Sequence, residues 1–213
     1  MAGKPGRCMN VMEQEMPEGF VAAEALPAAT VVLLRDAEDG IEVLLLRRNS
    51  KLRFAAGAWV FPGGKVDQDD SPHHAADAQE TARHAAVREA AEEAQVQLDV
   101  SQLVVISHWT TPLISPRRFA TWFFVATVES GQPIVVDGSE ILEHRWLTPR
   151  QALEAYQSDQ MPMIVPTYVT LQELLTFNDG EQTLAHYRGK EPVIWPVNYG
   201  VRRAEPQPLG PAD

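Results

Sequence analysis

The stretch HAAVREAAEEAQVQL, from His84 to Leu98, limits the possible folds more than any other part of the chain. Placed on a helix at roughly 100° per residue, Glu89, Glu92 and Glu93 share an arc of roughly 100°. Val87, Ala90, Ala91 and Ala94 fall on the opposite side. An apolar face built from such small side chains lets the helix lie very close to a sheet, so the carboxylates project together away from the core. Like charges one turn apart cost a helix a few tenths of a kcal/mol per pair. Taken alone, the cluster fits a solvated acidic face and a seat for a cation equally well. Hard divalent cations want clustered oxygen ligands, and Arg88 stands four residues before Glu92, close enough to orient one carboxylate.

The flanking sequence supplies the sheet. ATVVLLR (29–35) and IEVLLLRR (41–48) are β-rich runs joined by the turn residues DAEDG, which predicts a hairpin. AWVF (58–61) is a short strand ending at Pro62-Gly63-Gly64, and KVDQDDSPHHAAD after it reads as a loop. The helix is expected over 76–94. Further strands are expected at 103–109, 119–128 and 142–147. Thr148 and Pro149 have the N-cap and first-turn chemistry of a new helix. PTYVTLQELLTF (166–177) is amphipathic, and DGEQTLAHYRG suggests one more short helix. Strands on both sides of a central helix imply an α/β (α+β) fold, with a mixed central sheet and helices on both faces.

The chain has 213 residues, 45% hydrophobic and 22% charged, which suits one domain with appendages. The expected division is an irregular lead-in over 1–22, a domain over 23–200 with a helical extension at about 165–190, and a Pro-rich tail over 201–213. A formal charge of −11 argues against nucleic acid or an anionic membrane as partner. It leaves room for an anionic small molecule, because a bound metal inverts the local field. The longest apolar stretch, 25–34, is too short to span a bilayer. The single cysteine, Cys8, permits no disulfide within one chain, so a reducing, cytoplasmic location is expected.

Seven residues separate Arg88 from Glu80 upstream, and before that Gly64 closes FPGG. This resembles the box of the Nudix hydrolases, G-x5-E-x7-R-E-U-x-E-E-x-G-U, with Arg88, Glu89, Glu92 and Glu93 in its REUxEE core. The resemblance implies a Nudix-type α/β/α sandwich. Three departures are present. Fifteen residues separate Gly64 from Glu80 rather than five, so a ten-residue insertion lies in the loop, and without it Asp70 would hold the glutamate position. Ala90 is smaller than the usual aliphatic residue. Gln95 stands where glycine would adopt the left-handed cap, at a cost of roughly 1 kcal/mol.

Upstream, LLLRRNSKLRFAAGAWVFPGG resembles the extra motif of coenzyme A pyrophosphatases, L-L-T-x-R-[SA]-x3-R-x3-G-x3-F-P-G-G. Leu46 and Asn49 are its two mismatches. The long insertion, with RRFATWFF, is similar to the acyl-CoA diphosphatase branch over roughly residues 28 to 175. The resemblance implies that Mg²⁺ or Mn²⁺ binds Glu89, Glu92, Glu93 and the carbonyl of Gly64, with Arg88 and Glu80 orienting the carboxylates. It implies cleavage of CoA or acyl-CoA to 3′,5′-ADP and (acyl-)4′-phosphopantetheine, with Arg48, Arg53, Gly63, Arg117 and Arg118 on the substrate. For Arg117 and Arg118, ordinary strand-edge charge is the competing reading. The general base is one of the metal glutamates or Glu140, with Glu143 behind it. ADP-ribose, NADH or a nucleotide sugar would present a diphosphate to the same box, and a non-catalytic ligand-binding module is a further reading. A homodimer is compatible with all of these. Trp59, Trp109, Trp122 and Phe123 are read first as core residues and second as surfaces for an adenine. The adjacent pair His73-His74 is not expected to bind metal.

Overall fold

The computed structural model describes residues 20–52, 54–71 and 77–195. Among them eight strands form one mixed sheet, in the order β3-β2-β1-β6-β5-β8, with β4 on β1 and β7 on β2. β1 (Ala25–Ala37) and β2 (Gly40–Arg48) make the expected hairpin. Gly40 closes its turn at φ 107°, a conformation that a side chain would strain. β1 begins at Ala25 rather than Ala29, because β6 (Arg118–Thr127) runs parallel beside it from Ala25 to Leu34. β3 (Trp59–Val60) leads into Pro62 as expected. Gly63–Lys65, read from sequence as the end of a strand and the start of a loop, instead forms β4, antiparallel to β1 with Gly63 opposite Thr30. β5 (Val104–Thr110) and β7 (Ile141–Leu147) are where the apolar runs put them. β8 (Val193–Trp195) was not anticipated; three residues carry no readable period, and parallel pairing with β5 holds them.

Alternation along β1 divides the core. Ala29, Val31 and Leu33 face α1 (Ala78–Ala94). Val32 and Leu34 face the cluster built with α2 (Pro149–Gln157), α3 (Val165–Leu174) and α4 (Gly180–Tyr187). The expected sandwich is therefore the observed one. Ala82, Ala85, Ala86, Ala90 and Ala94 are buried in the face of α1 that meets the sheet. The Thr148 hydroxyl accepts from the Gln151 amide at 3.2 Å, so α2 starts where its cap residues put it. No helix among the described residues is long and apolar enough to cross a membrane. The readings of Cys8, Arg53, His73-His74 and the 201–213 tail lie outside the described residues, as does most of the 1–22 lead-in.

Candidate active site

Helix α1 and strand β4 build the site between them. The Asp77 side chain caps α1 at the Gln79 amide, 2.9 Å away. At the other end Gln95 takes the left-handed conformation, φ 54° and ψ 32°, and its amide closes on the carbonyls of Ala90 and Ala91. A glutamine thus performs the cap that its sequence position demanded.

Arg88 uses all five of its N–H donors. Its Nε and Nη2 fork onto Asp70 at 2.9 and 3.0 Å. Nη2 also donates to the Lys65 carbonyl, and Nη1 donates to Glu89 at 3.0 Å and Glu92 at 2.9 Å. Hydrogen bonding to Asp70 above all holds the guanidinium far above even its ordinary arginine value. Asp70 is 6% exposed and closes its own 3-10 turn (Gln68–Asp70) by accepting from the Asp67 amide.

Glu80 is elsewhere. It stands 3.4 Å from Arg83 and 3.7 Å from His84, both on its own helix. Arg88 lies eight residues further along the helix, about 12 Å along the axis, so Glu80 cannot serve the position expected of it. The residue on Arg88 is Asp70, the one reached by counting the box without its insertion. The inserted residues follow the acidic partner instead of preceding it.

Glu93 is 6% exposed, and its Oε2 accepts from the Gly63 amide at 2.9 Å. Burial pushes it up to about 8, helped by the charges of Glu89 and Glu140 and opposed by Gly63 and Arg48. Burial also raises Glu89, against the pull of Arg88. The Glu89 carboxylate occupies the space in which a Cβ of Gly64 would sit, and a Cβ on Gly63 would approach Thr30 Cα at 2.8 Å. Gly64 is there because the Glu89 carboxylate comes too close for a side chain, and Gly63 because β1 does.

Arg48, at the end of β2, stands 3.6 Å from Glu93 and 3.7 Å from Glu140. It lies between two carboxylates. Glu140 is presented by a tightly built turn. Asp137 accepts from the amides of Ser139, Glu140 and Ile141 at 3.2, 2.8 and 2.8 Å. Asn49 donates its side-chain amide to the Ser139 carbonyl at 2.8 Å and its backbone N–H to Glu140 at 2.7 Å. The residue that departs from the extra motif is therefore the one that ties this turn to β2. Nothing in the local sequence announced that contact, since the partners are ninety residues apart.

The remaining candidates separate. Arg118 is 8% exposed and donates to the carbonyls of Thr111 and Ala23, at 3.0 and 2.7 Å. It clamps the start of β6 and is not available to a substrate; a buried guanidinium needs such acceptors. Arg117 beside it is exposed. Glu143 pairs with Arg47 and Arg145 at 2.9 and 2.8 Å, not with Arg48. Strand alternation turns it away from Glu140's partner.

No three acidic or histidine side chains among the described residues already converge as a metal cage. The donor set nonetheless fits a magnesium-like cation. Such ions take one or two carboxylates and complete their shell with water and substrate phosphate. Glu89 and Glu93 lie side by side against β4 and are both pushed toward protonation by burial, with the charges of Glu92 and Glu89 respectively adding to it. That is the behaviour of carboxylates short of positive charge.

The model of the NUDIX domain family matches residues 25–167. Nudix hydrolase 7 of Caenorhabditis elegans is 25% identical over 210 residues, covering 82% of this chain and 69% of that protein. Acyl-coenzyme A diphosphatase of Xenopus laevis is 24% identical, covering 64% of this chain; the matched part is 60% of that protein's length. Among solved structures, a NUDIX hydrolase from Alicyclobacillus acidocaldarius superposes with a TM-score of 0.70 at 26% identity, over 81% of this chain and 99% of that one. The NUDIX domain of Shewanella oneidensis NrtR, solved with ADP-ribose, shares the fold at a TM-score of 0.52 and 20% identity, over 76% of this chain and 94% of that one.

Proposed function

The chain belongs to the Nudix hydrolase family, and on that basis we propose that it is a divalent-cation-dependent pyrophosphohydrolase of coenzyme A or acyl-CoA. The observation that carries the reading is the seating of Glu89 and Glu93 against Gly64 and Gly63, with Arg88 locked to Asp70 beside them. Glu89, Glu92, Glu93 and the Gly64 carbonyl would hold the cation. When bound, a divalent cation neutralises diphosphate charge and lowers the pKa of a water molecule.

The chain's own residues do the rest. Arg88 and Asp70 fix the direction of Glu89 and Glu92, so that few side-chain rotamers remain to be frozen when substrate arrives. Glu140, held on its turn beside Arg48, takes the proton as water oxygen bonds to phosphorus and the anhydride P–O bond breaks. Arg48, between Glu140 and Glu93, offsets their negative charge as the anionic diphosphate arrives. The products are 3′,5′-ADP and 4′-phosphopantetheine or its acyl form.

CoA is favoured by Leu44, Leu45, Arg48, Gly57 and Phe61-Pro62-Gly63-Gly64 at the spacing of the extra motif. The likeness to an acyl-coenzyme A diphosphatase points the same way. The test is a substrate panel with Mg²⁺ or Mn²⁺: CoA, acyl-CoA, ADP-ribose, NADH and a nucleotide sugar, with products identified by mass spectrometry. CoA or acyl-CoA is expected to be cleaved within its diphosphate. Cleavage of ADP-ribose with none of CoA would reject the substrate assignment.

A further inference from the structure

Of the four strand aromatics that could serve a nucleobase, the core claims three. Trp59 and Trp109 are each 2% exposed and Phe123 is 4% exposed. All three belong to the cluster on the α2–α4 face. Trp122 is different. It is only partly buried and lies on the other face, the one that carries α1 and the acidic residues.

Its position is set by register. Gly64 pairs with Ala29, Ala29 with Trp122, and Trp122 with His108. These four residues form one rung across β4, β1, β6 and β5. Glu89 touches the rung at its Gly64 end. Neighbouring strands lie about 4.8 Å apart, so Trp122 is about 10 Å from Gly64 across the sheet. That is a span suited to a ribose and its phosphate.

The other end of the rung depends on an irregularity. β5 shifts register between Val105 and Ser107. Without the extra residue, Ser107 would stand opposite Trp122. With it, His108 does, and the two rings meet edge to face, with centroids 4.5 Å apart and planes at 61°. A bulge that re-aims one side chain is a frequent companion of a functional site. Ser107 is turned to the opposite face, where it accepts from the Trp109 indole at 3.0 Å.

The face is open on the outer side of this pair. Phe124, the next residue inward on this side of β6, is fully buried, with the Arg83 guanidinium over its ring. The next rung outward carries Pro27, Ala120 and Thr110, small side chains beside which the indole stays only partly buried. Burial lowers the pKa of the half-buried His108 from its ordinary value.

We propose that Trp122, braced by His108, is the stacking surface for the aromatic base of the nucleotide half of the substrate. The proposal rests on the reading of this chain as an enzyme of nucleoside-diphosphate compounds. It adds where the base sits and which residue selects it.

The test compares ADP with inorganic diphosphate, which has no base, as ligands of the full-length protein with Mn²⁺, by calorimetry. ADP is also followed without metal by saturation-transfer NMR, which reads contact with the adenine protons. The variants are Trp122→Leu, which keeps apolar volume without an aromatic face, and Trp122→Phe. In Trp122→Leu, ADP affinity is expected to fall about tenfold, within the range for one base on one aromatic side chain, and the adenine signal to fade. Affinity for inorganic diphosphate is expected to stay put, and Trp122→Phe to recover most of the loss. Unchanged ADP affinity in a folded Trp122→Leu overturns the proposal, as does an equal loss for ADP and inorganic diphosphate. If the wild-type protein binds inorganic diphosphate but ADP no more tightly, the stacking surface fails while the hydrolase reading stands. Binding of neither ligand, even with Mn²⁺, sinks both.

Discussion

The guanidinium of Arg88 spends every donor on protein acceptors, and two of them go to Asp70. A bidentate fork fixes both planes at once, which a lysine or a single hydrogen bond cannot do. Asp70→Asn keeps the shape but removes the charge, and is expected to lower kcat/KM or metal affinity roughly 10- to 100-fold. Glu80→Gln, on the far turn of the same helix, should leave both within about twofold, as a surface substitution away from the site does. Steady-state kinetics with Mn²⁺ on the pair of variants decides between the two acids, and equal losses would return Glu80 to the site. At Gly64 the space is already taken by Glu89. Gly64→Ala should therefore displace that carboxylate and abolish cation-dependent activity while the circular dichroism spectrum stays native. These assignments were half legible beforehand. The spacing of Arg88, Glu89, Glu92 and Glu93 fixed their common face, but the inserted residues made two acids compete for one position. Only the path of the chain after β4 separated them.

Two short elements do more positioning than their length suggests. The turn over 137–141 hangs on Asp137 and on Asn49 from a distant strand. Asn49→Ala removes one of the two tethers at the strand end. It is expected to reduce kcat severalfold with KM little changed, and to speed hydrogen exchange at Glu140 and Ile141. Unaltered exchange with unaltered kcat would show that the turn holds itself and that Asn49 is incidental. At the end of α1, Gln95 is held at φ 54°. Glycine adopts that conformation without a Cβ penalty, so Gln95→Gly should raise stability by about 1 kcal/mol in urea denaturation. The helix itself was readable, because alanines at helical spacing permit only a close-packed face. β4 and β8 were not. Three residues each show no alternation, and their strand geometry exists only because a longer neighbour supplies the hydrogen bonds.

At the scale of the molecule, the chain carries −11 and concentrates Asp70, Glu89, Glu92 and Glu93 around one end of α1. A cation bound only by the folded state stabilises it by about 3 kcal/mol at a hundredfold excess over Kd. Mn²⁺ is thus expected to raise the melting temperature of the wild type and not of Glu89→Gln. On the opposite face, burial raises Glu173 above the ordinary glutamate value, and Tyr187, its hydrogen-bond partner at 3.5 Å, opposes the rise. The folded state then holds this proton more tightly than the unfolded chain does. Its contribution is complete below the ordinary carboxylate range and is lost as pH rises through the raised value. Glu173→Gln should match the wild type in urea at pH 4 and exceed it at pH 8; a constant difference across that range would contradict the assignment. The linear sequence determined the family-like spacing, the hairpin, the helix and its acidic face, because each follows from periodicity within one segment. The tertiary structure alone decided that Asp70 holds Arg88, that Arg118 clamps a strand, that Asn49 reaches a turn ninety residues away, and that Trp122 is only partly buried on the α1 face. Those facts depend on which segments are brought side by side, and a local pattern carries no record of its neighbours across the sheet.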